Sequence, residues 1–426
     1  MSVLGNRMAI LGFVFITNVL ISRYLGPDGK GVLAALLIYP TLLVSMSELG
    51  IRQASIYIVG KKEHTESKII GVILFFLVLM SVVSIIAISL IFIFLRNPAF
   101  NESMIILALM IVPLMLCISY SQGVFLGKEQ ITNFVRTSWI ASALELGFIV
   151  LLVVYANQYI IGALTAKILG LALVAFYALW LISKIAPIKI NLDIQLAKKM
   201  LHLGIVYGIA LFVLNLNYKV DIILLDLLSN PFELGQYTVG VTIAELIWQL
   251  PTALSLLVFS KSANAIDPRT FSKDISKLMR VVLVFAIVGA VTLFFASSYL
   301  IPLLFGSEFI PSVEVMQLLL PGIVIMTIFK VLNMDLAGKG KPFISLVVFA
   351  PVVVLNIALN FLLIPLYGSN GAAIASSLSY TIGGLLFLVV YARVVDISIK
   401  EMFKYQKADF KFIDIIFHGV TKGGSS

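Results

Sequence analysis

Long apolar runs alternate with short polar breaks along this chain, and each run spans roughly 18–28 residues. A helix rises about 1.5 Å per residue and needs about 20 mostly apolar residues to cross a bilayer. Twelve runs meet that requirement, at roughly 7–24, 32–59, 69–95, 103–126, 132–156, 159–183, 202–228, 235–259, 278–301, 311–337, 342–366 and 370–394. Each is predicted to be an α-helix, because backbone polar groups in lipid need partners within their own segment. The longest polar stretches, about 184–201 and 260–277, are too short to fold by themselves.

Composition agrees with the pattern. Hydrophobic residues make up 61% of the 426 and charged residues 12%, against about 45–50% and 25% in soluble domains. The predicted class is all-α: a polytopic membrane protein of twelve transmembrane helices. The first apolar run lacks a small-residue cleavage site and reads as a permanent helix. The single Cys117 rules out an intrachain disulfide, and His64, His202 and His418 are too scattered for a zinc site. No metal and no cofactor is expected.

The net charge of +9 suggests nucleic acid until its distribution is read. With the N-terminus placed in the cytoplasm, 23 of the 30 Lys and Arg residues fall on the inside, and Arg23, Lys30 and Arg96 fall in outside loops. The remaining four, Arg52, Lys167, Lys219 and Lys330, lie within spans. Cytoplasmic loops carry such an excess of Lys and Arg, so both termini are expected in the cytoplasm of an inner-membrane protein, with no nucleic-acid partner. In the tail, Lys400, Lys404, Lys407 and Lys411 repeat at helical spacing beside Ile399, Phe403, Phe410, Ile413 and Phe417. That pattern fits a basic amphipathic helix on the anionic leaflet, with a disordered basic tail as the alternative.

The chain also repeats. Pro27 and Pro231 are 204 residues apart, as are Gly31 and Gly235. Gly127-Lys128 and Gly338-Lys339 each follow the fourth span of their half, Tyr155 and Tyr367 close the fifth, and Gly162-Ala163 and Gly371-Ala372 open the sixth. Six helices per half gives a parallel repeat, with a substrate path expected between the halves. The expected organisation is a six-helix lobe at 1–183, a cytoplasmic linker at 184–201, a second lobe at 202–395 and the basic tail at 396–426.

The run Ser22-Arg23-Tyr24-Leu25-Gly26-Pro27-Asp28-Gly29-Lys30-Gly31, followed by Ser47-Glu48-Leu49-Gly50-Ile51, resembles the oligosaccharide (O-antigen) flippase family. So does the stretch from Lys219-Val220-Asp221 through Leu234-Gly235-Gln236-Tyr237 to Pro251 and Phe259-Ser260-Lys261. That family belongs to the multidrug/oligosaccharidyl-lipid/polysaccharide exporter superfamily. The resemblance implies two six-helix lobes around a central cavity, alternating access and an undecaprenyl-pyrophosphate-linked oligosaccharide as cargo. Membrane lipids, and the polymerase and glycosyltransferases of the same pathway, are the implied partners.

A charge at mid-bilayer costs at least about 2.5–3.5 kcal/mol, so such residues face protein or a wet cavity. The seventh span carries Asn215, Lys219 and Asp226 on one face and Asn217 and Asp221 on another. Counting from the turn near residue 231 puts Lys219 and Glu245 at similar depth. Two readings follow: a diphosphate-binding cation beside carboxylates that couple to a proton or sodium ion, or a structural ion pair. Glu48 and Arg52, at i and i+4 on the second span, either support the helix or receive a diphosphate, which guanidinium binds in a fork. Glu145 and Lys167 are expected to form a structural bridge. Lys330 is a second candidate cation, unless it snorkels to the interface. Arg23 completes the candidate substrate contacts. Asp221, Glu245, Glu48 and Asp226 are the candidate cavity or coupling carboxylates.

Several rivals remain. A multidrug/cation antiporter would want a more acidic cavity, and a lipid II flippase typically carries two further helices at its end. A major-facilitator transporter would show a Gly-x-x-x-Asp-Arg-x-Gly-Arg type loop where this chain has Gly60-Lys61-Lys62-Glu63-His64-Thr65. An enzyme would need an external loop, an acidic metal motif or a nucleotide-binding stretch, and none is visible.

Overall fold

A computed structural model of the chain describes residues 3–95, 97–190, 192–263, 265, 267–341 and 343–405. It is all-helical, with no strand among those residues. The helices are α1 (Val3–Ser47), α2 (Ile51–Lys61), α3 (Glu66–Leu95), α4 (Glu102–Gly127), α5 (Ile131–Ile149), α6 (Tyr159–Ser183), α7 (Ile194–Leu228), α8 (Pro231–Ala244), α9 (Gln249–Ala263), α10 (Pro268–Phe305), α11 (Ser312–Gly338), α12 (Phe343–Val395) and the short α13 (Ile399–Met402). Among the described residues, eight helices are long and apolar enough to cross a membrane. Two of them bend into separate segments, α1 at Gly26 and α12 at Gly368, where the backbone leaves helical geometry. With α7 and the α8–α9 run, twelve membrane-length segments result, as the hydropathy pattern predicts.

The bend at Gly26 follows from its neighbours. Gly26 has φ +67°, a conformation that glycine adopts without steric cost. Pro27 cannot follow a helical residue comfortably and is suited to starting a new helix.

Surfaces are inverted relative to a soluble protein. Val82, Ile86 and Ile93 of α3 and Phe285, Val288 and Phe295 of α10 are exposed, while Ser272 and Asp335 are buried. Lipid solvates such apolar faces, so helix association rests on close packing and interhelical hydrogen bonds rather than on hydrophobic burial.

The chain divides into two compact units, Met1–Thr238 with Pro302–Phe309, and Val239–Ile301 with Ile310–Ser426. In the first unit, α7 runs antiparallel to the second half of α1 and to α2. Tyr39 meets Asp226, Ser45 meets Asn215, and Leu49 and Gly50 meet Gly204 and Gly208.

Four expectations change. The second span is not one helix over 32–59. It breaks at Leu49 and Gly50, both at positive φ (45° and 67°), where α7 presses in. A β-carbon at Gly50 would stand 2.0 Å from the Gly204 carbonyl oxygen. Lys30 is no solvated loop residue; it is helical and buried, and its ammonium donates to Asn18 Oδ1 at 2.7 Å. The eighth span is interrupted by a 3₁₀ turn at Glu245–Trp248. Pro251 lies four residues after Ile247 and supplies no N–H to its carbonyl, which loosens the helix there. Helix α7 begins at Ile194, within the stretch expected as linker. The tail from residue 406, with Lys407, Phe410, Lys411, Ile413 and Phe417, lies outside the described residues.

Candidate functional site

In the first unit, α7 carries the polar residues singled out by sequence. Asn215 Nδ2 donates to Ser45 Oγ at 2.8 Å. Asp221 is fully buried and accepts from the Tyr237 hydroxyl at 2.9 Å. Asp226 accepts from the Tyr39 hydroxyl at 2.6 Å and from Asn97 Nδ2 at 3.0 Å, so its two oxygens tie α7 to α1 and to the turn after α3. Asn217 is fully buried, and neither of its side-chain polar atoms has a hydrogen-bond partner. Lys219 is half-buried between these groups along the helix.

Glu48 and Arg52 do not form an i,i+4 pair, because the left-handed residues between them break the helical register. Glu48 instead accepts a hydrogen bond from the Ser119 hydroxyl of α4. Arg52 is half-buried, with its guanidinium 5.8 Å from the centroid of the Phe134 ring. Gly123 allows α4 to approach there: a β-carbon would come within 2.9 Å of the Arg52 carbonyl oxygen.

In the second unit, the helix interruption at Glu245–Trp248 gathers a second set. Lys330 of α11 does not snorkel along the helix. Its ammonium lies 4.1 Å from the centroid of the Trp248 ring, and Glu245 is a carboxylate whose charge acts on it. Trp248 is held by its indole N–H, which donates to the Ile323 carbonyl at 2.9 Å, and by the Tyr380 ring at 5.7 Å. A cation over an aromatic face is favourable by about 0.5–2 kcal/mol, more when desolvated. The result is a cation of α11 seated on a fixed aromatic face at the interruption between α8 and α9. Lys219 and Glu245 fall in different units.

Residues 3–258 match the family model described as polysaccharide biosynthesis protein. The chain belongs to that family. It is similar to the lipid II flippase MurJ in an inward closed conformation, with a TM-score of 0.74 at 17% identity, covering 99% of this chain and 92% of that one. It is also similar to an inward-facing multidrug resistance MATE family transporter of the MOP superfamily (TM-score 0.71, 12% identity, 92% and 98% covered). A third likeness is to a MOP superfamily transporter from Pyrococcus furiosus, whose description reports a binding pocket of reversed polarity (TM-score 0.65, 12% identity, 92% and 94% covered). No curated protein sequence matches the chain.

Within this member of the polysaccharide biosynthesis family, the other predicted residues have local roles. Lys167 Nζ lies 3.1 Å from Glu145 Oε1, and both charges act on the buried Lys30. The exposed Arg23 donates through Nε to the Leu304 carbonyl at 2.7 Å and through a terminal nitrogen to the Leu303 carbonyl. It thereby satisfies carbonyls in the last turn of α10, which have no intrahelical partner.

Two groups were not singled out as sites from sequence. Trp248 and Tyr380 build the face under Lys330; a tryptophan three residues from Glu245 was the available signal. Buried Asp335 accepts from the hydroxyls of Ser262 (2.6 Å), Ser272 (2.7 Å) and Tyr391 (2.7 Å) and from the Lys339 ammonium (2.8 Å). Those donors come from α9, α10, α12 and the residue that follows α11, which no local pattern brings together. Among the described residues, no group of His, Cys, Asp and Glu is arranged to hold a metal ion.

Proposed function

We propose that this protein is a flippase that moves a polyprenyl-diphosphate-linked oligosaccharide from the cytoplasmic to the outer leaflet of the inner membrane, for surface polysaccharide assembly. Membership of the polysaccharide biosynthesis family carries the reading. The half-buried cations Arg52, Lys219 and Lys330 support an anionic cargo. Arg52 and Lys219 would hold the diphosphate inward-open, the glycan would occupy a wet cavity, and the lipid tail would remain in the bilayer. Lys330 on Trp248 offers the combination of an apolar face and a charge suited to an acidic sugar or diphosphate. Rocking of the lobes would then expose the glycan outside. Both termini are placed in the cytoplasm on charge bias. Asp221 and Glu245 are the proposed groups for proton or sodium coupling, and the polymerase and glycosyltransferases of the pathway are the proposed partners. The reading includes no catalytic step.

The MurJ-like fold over 99% of the chain favours a lipid II-type cargo as the second reading. Liposomes containing the protein decide between them. A fluorescent polyprenyl-diphosphate oligosaccharide should be translocated by wild type and not by folded Lys219→Ala or Lys330→Ala. Transport of lipid II alone would favour the second reading. Transport of a cationic dye against a proton or sodium gradient, with both lipids ignored, would make this protein a multidrug antiporter.

A further inference from the structure

Between Ser183, where α6 ends, and Ile194, where α7 begins, the chain is short but not polar. It ends in Pro187-Ile188-Lys189-Ile190-Asn191-Leu192-Asp193-Ile194. Every second residue from Ile188 is a branched aliphatic, and Ile188, Ile190, Leu192 and Ile194 are each between 46% and 61% exposed. The flanks are packed. Ala186 on one side and Leu196, Ala197 and Met200 on the other are buried in the core of the first unit. Asp193 is fixed too, by the Leu196 N–H at 2.8 Å and by its ion pair with Lys68. Single exposed hydrophobics are ordinary, but four in one anchored stretch mark a contact surface.

Two contacts give the height of this stretch. Lys68, the partner of Asp193, is the last charged residue before the uncharged apolar run Ile69–Leu95 of α3. At the other end, Trp180 in the last turn of α6 is exposed, and the Lys184 ammonium lies 3.4 Å from its ring centroid. Tryptophan gathers where a membrane helix meets water. The stretch therefore runs between two points at which membrane-length helices pass from apolar to polar, the level of lipid headgroups. Its charge has one sign. Asp193 is the sole acidic residue from 184 to 198 and is taken by Lys68. Lys184, Lys189 and Lys198 meet no carboxylate among the described residues.

We propose that residues 187–194 are an in-plane membrane anchor. Ile188, Ile190, Leu192 and Ile194 enter the headgroup–acyl boundary of the adjoining leaflet, and Lys184, Lys189 and Lys198 bind its anionic headgroups. Burial of the aliphatics and attraction of each lysine to the charged surface act together. The height of the stretch and its unpaired lysines select a lipid surface over a protein strand. The anchor fixes the start of α7 at the bilayer surface, whatever the cargo.

The test does not depend on transport. The full chain carries Cys117→Ala and one new cysteine: Ile188→Cys, Ile190→Cys, Leu192→Cys or, as the water-exposed reference, Lys62→Cys. Each is labelled with nitrobenzoxadiazole and reconstituted in vesicles of phosphatidylcholine with one-fifth phosphatidylglycerol. Spin-labelled lipid quenches a label in the bilayer surface, and iodide quenches one in water. Labels at 188, 190 and 192 should be quenched by lipid about threefold more than the label at 62, and be shielded from iodide. Lys184→Gln, Lys189→Gln and Lys198→Gln together, or phosphatidylcholine alone, should cut lipid quenching at 190 by about half. Iodide access at 190 equal to that at 62 would overturn the anchor. Shielding from both quenchers would overturn it as well, by showing that protein covers the stretch. Lipid quenching that survives both the triple variant and the loss of phosphatidylglycerol would overturn the part given to the lysines.

Discussion

Gly31 lies so close to Pro231 that a β-carbon on it would stand 1.8 Å from the proline's carbonyl oxygen. The contact is reciprocal. A β-carbon on Gly235 would stand 2.0 Å from the carbonyl oxygen of Pro27. In each case the glycine lies four residues after its own half's proline. The start of the second span and the start of the eighth therefore cross with their backbones touching, each repeat supplying one glycine and one proline.

Because the opposing atom is backbone, it cannot rotate away. Gly31→Ala and Gly235→Ala should each destabilise the protein by about 1–3 kcal/mol, the range for overpacking, as a lowered unfolding temperature in detergent. Gly12→Ala, which meets nothing within 4 Å, should leave it unchanged or raised. Equal behaviour of all three would show that the crossing does not hold the fold.

Asp335 of α11 gathers donors from α9, α10 and α12 and from Lys339, just past the end of its own helix. Asp335→Ala would leave the half-buried Lys339 ammonium without its carboxylate and the buried hydroxyls of Ser262, Ser272 and Tyr391 without their acceptor, and should cost about 3 kcal/mol. Tyr391→Phe removes one hydrogen bond and should cost about 1 kcal/mol. Denaturant unfolding of the reconstituted protein measures the difference.

Lys330 and Trp248 act as one unit. Lys330→Ala should reduce translocation of the oligosaccharide lipid by tenfold or more, Trp248→Leu should reduce it nearly as far, and Trp248→Phe should retain most of it, since phenylalanine keeps an aromatic face. A Trp248→Leu variant as active as wild type would separate the ring from the cation's role.

At the polar end of α7, Asp193 caps the helix by accepting from the Leu196 N–H at 2.8 Å. Its carboxyl titrates below the ordinary 3.8, chiefly because of the hydrogen bond from Lys68 and then that from the Leu196 N–H. The folded pKa is the lower one, so this tie is fully present above about pH 4 and is lost as pH falls through the lowered value. Glu63, bonded to Lys199 at 2.7 Å, shifts the same way. Amide exchange at residues 194–199, corrected for intrinsic rate, should be unchanged from pH 7 to 5 and accelerate below pH 4. Asp193→Asn should keep much of the cap and lose the pH dependence.

The sequence by itself determined the membrane class, the twelve segments and the turn at Gly26-Pro27, because each depends only on local composition: an apolar run of sufficient length, or a Gly-Pro pair that cannot continue a helix. It also disclosed the repeat, since Pro27/Pro231 and Gly31/Gly235 carry a constant offset that the reciprocal crossing explains. It could not decide which charges meet. Spacing paired Glu48 with Arg52, but the approach of Gly204 and Gly208 forces Leu49 and Gly50 out of the helix and sends the glutamate to Ser119. Lys330 read as a second candidate cation or a residue free to snorkel, until the interruption at Glu245–Trp248 placed an indole beneath it. Asp335 stands near the end of α11, yet its partners lie 63, 73 and 56 positions away at Ser272, Ser262 and Tyr391. Hydropathy acts residue by residue along the chain. Partner choice among buried charges depends on distances of a few ångströms between different helices, and only tertiary packing sets those.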